Sequence, residues 1–144
     1  MKAINSVRLA FLSRSANEGF ARVAVAAFAS QLDPTVEEIS EIKTAVSEAV
    51  TNCIVHGYGD TLGIITIRGR LYENGKLILS VQDRGRGIEN IRRAMEPLFT
   101  TGDESERSGM GFTIMETFMD KVQVKSKPGI GTTVTFTKYI QSRQ

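Results

Sequence analysis

The spacing of the apolar residues changes near Gly57, and this change limits the possible folds most. Before it, apolar residues recur every three or four positions, as in helices that bury one face. After it, Ile64–Tyr72 and Lys76–Gln82 read as β-strands joined by Glu73-Asn74-Gly75, an Asn-Gly hairpin signal. Helices followed by hairpins, with few helical crossovers, indicate an α+β fold.

Two capping-box patterns predict where the first helices begin. Ser15 with Glu18 precedes one apolar stripe, and Thr35 with Glu38 precedes another that we expect to stop at Gly57. The other predicted elements are a first strand, a brief helix, a longer helix and a closing antiparallel pair, at Val7–Leu12, Ile88–Met95, Phe112–Met119, Lys121–Lys127 and Thr132–Thr137. The order predicts one domain over residues 1–144, a two-layer sandwich with a mixed, mostly antiparallel sheet and helices on one face.

Composition excludes several kinds of protein. The 18 basic and 16 acidic residues give a net charge of only +2, which does not argue for nucleic-acid or membrane binding. The single cysteine, Cys53, cannot form an internal disulfide or a Cys-rich zinc site. Because no apolar run approaches the roughly 20 residues of a membrane span and no signal peptide begins the chain, we expect a cytoplasmic protein.

Glu48 and Asn52 form the first candidate site. They lie four residues apart on the second predicted helix, so their side chains share one face at the margin of its buried stripe. A solvated helix edge is the simpler explanation of the pair taken alone.

The second candidate is Asp83-Arg84-Gly85-Arg86-Gly87, directly after a predicted strand. A carboxylate can accept a hydrogen bond from an exocyclic amine such as that of adenine. Glycines would let the backbone turn sharply against a flat ligand. An ordinary surface turn would also use these residues.

Two further segments could contact a nucleotide. Ser108-Gly109-Met110-Gly111-Phe112 opens a predicted helix, where free backbone N–H groups favour phosphate, and Arg107 precedes it at the end of a polar, lid-like stretch. Gly131-Thr132-Thr133 lies between late strands and could place a hydroxyl near a base. A flexible loop and ordinary strand threonines are the simpler explanations of each alone.

The order of these motifs resembles the GHKL superfamily of gyrase, histidine kinases and MutL, whose nucleotide site is called the Bergerat fold. Within it, the chain is similar to the anti-sigma factor serine kinase family over essentially its whole length. The residues that carry this resemblance are Ser47–Asn52, His56-Gly57-Tyr58, Pro97–Thr101 and Ser108–Phe112.

The resemblance implies ATP and Mg²⁺ as cofactors. Asn52 would hold the metal, and Glu48 would be the general base that deprotonates a substrate serine. Asp83 would accept a hydrogen bond from the adenine amino group. The remaining cofactor-binding positions would be Gly85, Gly87, Thr100, Thr101, Arg107, Ser108, Gly109, Met110, Gly111, Phe112 and Thr133. Cys53 stands where the family pattern suggests alanine, and we interpret it as a small core residue.

The resemblance also implies partners: a sporulation sigma factor that the chain inhibits, and an anti-anti-sigma protein that it phosphorylates. It implies a homodimer formed through sheet edges, with no direct nucleic-acid or membrane contact, and Asn17–Val25 is a candidate docking face. Two alternatives stay open at this point, a histidine-kinase-type catalytic module and a nucleotide-gated binding module without transfer activity.

Overall fold

The computed structural model describes residues 2–96 and 111–141. The strands are β1 (Ala3–Leu12), β2 (Ile64–Tyr72), β3 (Lys76–Asp83), β4 (Lys121–Lys127) and β5 (Gly131–Tyr139). The helices are α1 (Ala16–Ala29), α2 (Val36–Asn52), α3 (Ile91–Ala94) and α4 (Gly111–Phe118). The predicted order of elements is confirmed, although β1 begins four residues earlier than expected and α3 is a single turn.

The five strands form one sheet in the order β1-β2-β3-β5-β4. The mostly antiparallel sheet is confirmed, and every pairing among the described strands is antiparallel. The hairpin between β2 and β3 turns at Gly75, whose φ of 83° is the left-handed conformation that an Asn-Gly turn uses.

The core lies between the sheet and one layer of helices. Alternate residues of β2 and β3 are fully buried, as expected of strands with one covered face. They pack against buried residues of α2 and α4, among them Ile42, Val46, Val50 and Met115. The α+β sandwich is therefore confirmed, and among the described helices none is long and apolar enough to cross a bilayer.

One of the two capping boxes forms. At the start of α2, the Thr35 hydroxyl accepts from the Glu38 N–H at 3.0 Å, and the Glu38 carboxylate accepts from the Thr35 N–H at 2.8 Å. The capping box predicted at Ser15 is wrong, because Ser15 is itself helical and its side chain makes no cap hydrogen bond. Glu18 instead lies 3.5 Å from Arg22 in an i,i+4 ion pair.

The second helix does not stop at Gly57. It continues beyond Asn52 as a wider π-helical turn, Cys53–Tyr58, hereafter the π segment, and ends at Gly59 with a φ of 60°. Such π turns within helices are frequent at functional sites. Here the wider turn carries His56 and Gly57 toward the end of β3.

A buried lysine ties α2 to the elements beside it. Lys138 of β5 is only 7% exposed, and its ammonium donates to Glu41 of α2 at 3.1 Å and to the carbonyl of Phe118 at 2.7 Å. A cation favours the carbonyl end of a helix, so the second contact also suits the last turn of α4. The contacts fix α2 and α4 relative to the sheet, and both helices line the site described next.

Candidate nucleotide site

A cavity of about 730 Å³ opens where α2, α4 and the end of β3 meet. Its size lies within the range of small-molecule pockets. One wall is α2 and the π segment, and the opposite wall is the loop after β3 together with α3. The lining residues include Ala49, Asn52, Cys53, His56, Gly57, Asp83, Arg86, Gly87, Ile88, Asn90, Arg93, Gly111, Phe112, Thr132 and Val134.

Asp83 is the buried acidic group of this cavity. It ends β3, is 4% exposed, and its Oδ1 accepts from the Gly85 N–H at 2.9 Å. Burial raises the pKa of Asp83, and hydrogen bonds from Gly85, Cys53 and Thr132 offset part of that rise. A carboxylate held in this way is an oriented acceptor that fits a neutral N–H donor of a ligand.

The glycines of the Asp83–Gly87 loop have a role that the sequence did not reveal. The predicted reason for them was close approach of a ligand. In the structure, a Cβ at Gly85 would collide with the carbonyl oxygen of Gly57, and one at Gly87 would collide with that of Lys127. Gly87 also has a φ of 76°. These glycines therefore let the loop pack directly on the π segment and on the turn between β4 and β5.

The α2 pair is placed as the helical spacing predicts. Asn52 is half-buried at the last position of α2 and lines the cavity. Glu48, one turn earlier and also half-buried, is not among the described residues that line it. Of the pair, the structure thus brings Asn52 and not Glu48 to the cavity.

The phosphate-binding prediction falls partly within the described residues. Gly111 and Phe112, the first described residues of α4, both line the cavity. Thr100, Thr101, Arg107, Ser108, Gly109 and Met110 lie outside the described residues.

Thr132 lines the cavity, whereas Thr133 does not line it among the described residues. Thr132 pairs with Asp83 across β3 and β5, and Thr133 pairs with Gln82. Since successive strand residues face opposite sides, only one of the two threonines can share the face of Asp83. The strand register, which the sequence does not show, decides between them.

Sequence reasoning missed the opposite wall. Asn90 and Arg93 of the α3 region and Arg86 of the loop line the cavity, and they add cationic and amide groups to it. The local cluster of arginines in this stretch was the available signal. Cys53 was predicted to be a small core residue, and it is 4% exposed. Burial, together with the neighbouring Asp83, raises the pKa of its thiol well above the ordinary value.

The donor set of the cavity suits a magnesium nucleotide. Among the described residues, no group of three or more His, Cys, Asp or Glu side chains could hold a metal ion. Asn52 alone would leave most coordination positions to phosphate oxygens and water, an arrangement that Mg²⁺ commonly adopts. Asp83 and Gly111 both line this cavity, and an acceptor carboxylate suits a base that carries an amino group.

Comparisons with known proteins agree with this geometry. The family described as "Histidine kinase-like ATPase domain" matches residues 11–138. A Thermoanaerobacter sp. (strain X514) protein named "Anti-sigma F factor" is 61% identical over 142 residues, covering 99% of both chains. A Geobacillus thermodenitrificans protein with the same name is 57% identical over 136 residues, covering 94% of this chain and 93% of its own.

Solved structures share the fold. The RsbU and RsbW domains of a Mycobacterium tuberculosis protein superpose with a TM-score of 0.69 at 20% identity, over 94% of this chain and 32% of that one. The catalytic domain of the histidine kinase ThkA superposes with a TM-score of 0.59 at 16% identity, over 95% of this chain and 97% of that one. With its cavity, its fold and these full-length relatives, the chain belongs to the histidine kinase-like ATPase domain family and, within it, to the family of the anti-sigma F factors.

Proposed function

We propose that this protein is an anti-sigma factor with protein serine kinase activity. It binds and inhibits a sporulation sigma factor in the cytoplasm, and with Mg-ATP it phosphorylates a serine of an anti-anti-sigma partner. The observation that carries the proposal is a single cavity with Asp83 at the end of β3 and Asn52 on the facing helix. Relatives 55–61% identical over nearly the whole chain are named anti-sigma F factors, which supports the choice of partner.

Asp83 selects the base in this proposal. Its carboxylate accepts a hydrogen bond from the adenine amino group. A purine with a carbonyl at the same ring position has no such donor. Thr132, which lies beside Asp83 in the strand register, supports the same edge of the base. We place the phosphates near Gly111 and Arg93, which both line the cavity, because a cationic side chain favours negative charge. We propose Thr132 for this role in place of the predicted Thr133, because Thr132 and not Thr133 pairs with Asp83 in the register of β5 against β3.

Asn52 would hold Mg²⁺ through its side-chain oxygen. When bound, the metal ion neutralises charge that develops on the phosphates during transfer. Glu48 lies one helical turn from Asn52 and takes the proton from the hydroxyl of the substrate serine. The serine oxygen then forms a bond to the γ-phosphorus while the bond to the leaving ADP oxygen breaks. This division needs positioning and one carboxylate, as is usual for phosphoryl transfer.

A second groove offers a place for the protein partner. It holds about 380 Å³ and runs between α1 and α2, lined by Arg22, Val36, Ile39, Ser40, Lys43, Thr44 and Ser47. Phe20 and Val23 of the candidate docking face are 52% and 61% exposed, and Val36 is 88% exposed. Ser47 immediately precedes Glu48. We propose this groove as the surface that binds the anti-anti-sigma partner.

For the homodimer, we propose β1 as the pairing edge. β1 and β4 are the outer strands of the sheet. β4 carries Lys121, Lys125 and Lys127, and such charges discourage strand addition at an edge. β1 has ten residues and a single charge, at Arg8. Light scattering on the purified chain should give the mass of two copies, and a strict monomer at micromolar concentration would contradict this part of the proposal.

The kinase proposal is tested with labelled ATP. The protein, Mg²⁺ and a candidate anti-anti-sigma protein should yield acid-stable phosphoserine on the partner, and without that partner the protein should block transcription by the sigma factor. An acid-labile label on the chain itself would favour histidine-kinase chemistry. Tight ATP binding with no turnover, whichever partner is supplied, would favour a nucleotide-gated binding module.

Replacing Asn52 by alanine should remove the magnesium dependence of ATP binding. Wild-type affinity should be higher with Mg²⁺ than with a chelator, because the Asn52 oxygen binds the metal, and Asn52→Ala should bind ATP equally under both conditions. Asn90→Ser is the matched control, since it changes another amide of the same cavity and keeps a side chain that can cap α3. A normal magnesium response in Asn52→Ala would argue against metal ligation.

A further inference from the structure

Tyr58 makes two hydrogen bonds through one hydroxyl at the end of the π segment. The hydroxyl donates to the carbonyl of Ile64 at 2.5 Å and accepts from the N–H of Arg84 at 2.8 Å. Ile64 begins β2, and Arg84 directly follows Asp83. One side chain therefore joins the π segment, the first residue of β2 and the residue after the buried carboxylate.

The ring of Tyr58 is held as firmly as its hydroxyl. It packs on Gly63, where a Cβ would collide with the ring atoms. Burial raises the pKa of Tyr58, with nearby Asp83 adding to the rise, while contacts with Arg84 oppose it. The hydroxyl thus stays protonated at neutral pH. Its only proton goes to Ile64, which leaves its oxygen lone pairs for Arg84.

Gly57, the residue before Tyr58, completes the hold on the loop. Its carbonyl accepts from the Arg86 N–H at 2.9 Å. A Cβ at Gly57 would lie 2.8 Å from Oδ2 of Asp83, so only glycine leaves the carboxylate its position. The N–H groups of Arg84 and Arg86 are thereby both fixed to the π segment, on either side of Gly85, whose own N–H binds Asp83.

We propose that Tyr58 is a positioning residue that sets the adenine selectivity of the cavity by fixing the backbone beside Asp83. This inference rests on the proposed nucleotide binding and extends it to a residue outside the cavity, since Tyr58 is not among its described lining residues. The Asp83 carboxylate can discriminate between bases only if its oxygens are held in place. Its neighbour's N–H, anchored by Tyr58, provides part of that restraint.

The test is Tyr58→Phe, which keeps the ring on Gly63 and removes both hydrogen bonds. Affinity is measured for ATP and for purine riboside triphosphate, which is ATP without the amino group that Asp83 would accept from. Loss of a hydrogen bond to a neutral group typically weakens an equilibrium by about 2- to 13-fold. We expect ATP affinity to fall within that range while affinity for the purine analogue changes little.

A purely structural role for Tyr58 would lower the affinities for both nucleotides by the same factor. An unchanged ratio of the two affinities would therefore overturn the proposal. In a double-mutant cycle, Tyr58→Phe should cause no further loss of ATP preference once Asp83 is asparagine, because the two residues act on one contact. Tyr139→Phe is the control, since Tyr139 lies 46% exposed at the end of β5.

A measurement on the wild type keeps the proposal testable if Tyr58→Phe does not fold. The Arg84 amide should be protected from hydrogen exchange, and bound ATP should protect it more than the purine analogue does. Exchange at the rate of a free amide would overturn the positioning role. If the wild type binds neither nucleotide, the proposed function fails, whereas equal binding of both nucleotides with an intact kinase would refute only adenine selection.

Discussion

Replacing Glu48 by glutamine should reduce serine phosphorylation by about 10²- to 10⁴-fold, the usual contribution of a general base. Glutamine has nearly the same shape and helix propensity but cannot take up the proton of the serine hydroxyl. Because Glu48 does not line the cavity among the described residues, ATP affinity should stay within about twofold of wild type. Single-turnover transfer from labelled ATP to the partner protein measures the first quantity, and calorimetry measures the second.

Glu37→Gln is the matched control for this experiment. Glu37 lies exposed in the first turn of the same helix, so the substitution removes a carboxylate from α2 without touching the site. It should phosphorylate the partner at the wild-type rate. Full activity in Glu48→Gln would remove Glu48 from the role of base, and equal losses in both variants would point to an effect on the helix.

Replacing Asp83 by asparagine should weaken ATP binding by about 5- to 150-fold, equivalent to the about 1–3 kcal/mol lost when a buried hydrogen-bonding group is left unsatisfied. Both oxygens of a carboxylate are acceptors, whereas the NH₂ of an amide would face either the adenine amino group or the N–H of Gly85. Titration calorimetry gives the affinity, and Asp60→Asn, a change at an exposed position two residues after the π segment, should bind as wild type. An unchanged affinity in Asp83→Asn would exclude Asp83 from adenine recognition.

The ATP affinities of wild type and of Asp83→Asn should depend differently on pH. Burial raises the pKa of Asp83 above its ordinary value of 3.8, so the carboxyl begins to take up a proton at a higher pH than an exposed aspartate. Protonation turns one acceptor into a donor. The affinity of wild type relative to Asp83→Asn should therefore fall as the solution becomes acidic, while titration of the ATP phosphates affects both proteins and cancels in the ratio. A constant ratio down to pH 4 would contradict this.

Local patterns predicted most of the fold. The capping box at Thr35, the hairpin at Asn74-Gly75 and the strand pair β4–β5 each depend on residues close in sequence, and each forms. Ser15 shows the limit of such patterns. It is a serine three positions before Glu18, as a capping box requires, yet its backbone is helical and its side chain makes no cap hydrogen bond. Its backbone geometry depends on how the chain leaves β1, which the local sequence does not show.

The sequence predicted those features of the candidate site that depend on neighbouring residues. It did not predict the features that depend on contacts between segments far apart in the chain. Asp83 at a strand end and Asn52 on the second helix follow from local pattern. The choice of Thr132 over Thr133 depends on the register of β5 against β3. The absence of a side chain at Gly85 is explained by the carbonyl of Gly57, 28 positions away in the chain. The anchoring of Arg84 by Tyr58 likewise exists only in three dimensions.

Calorimetric titration of the wild-type chain with ATP, with and without Mg²⁺, is the decisive experiment for the proposed nucleotide site. The structure leads us to expect saturable binding of one nucleotide per chain, tighter with Mg²⁺ and weakened in Asp83→Asn. If no heat of binding were detected at any magnesium concentration for a folded chain, the cavity between α2 and the end of β3 would not be a nucleotide site, and the kinase proposal would be contradicted.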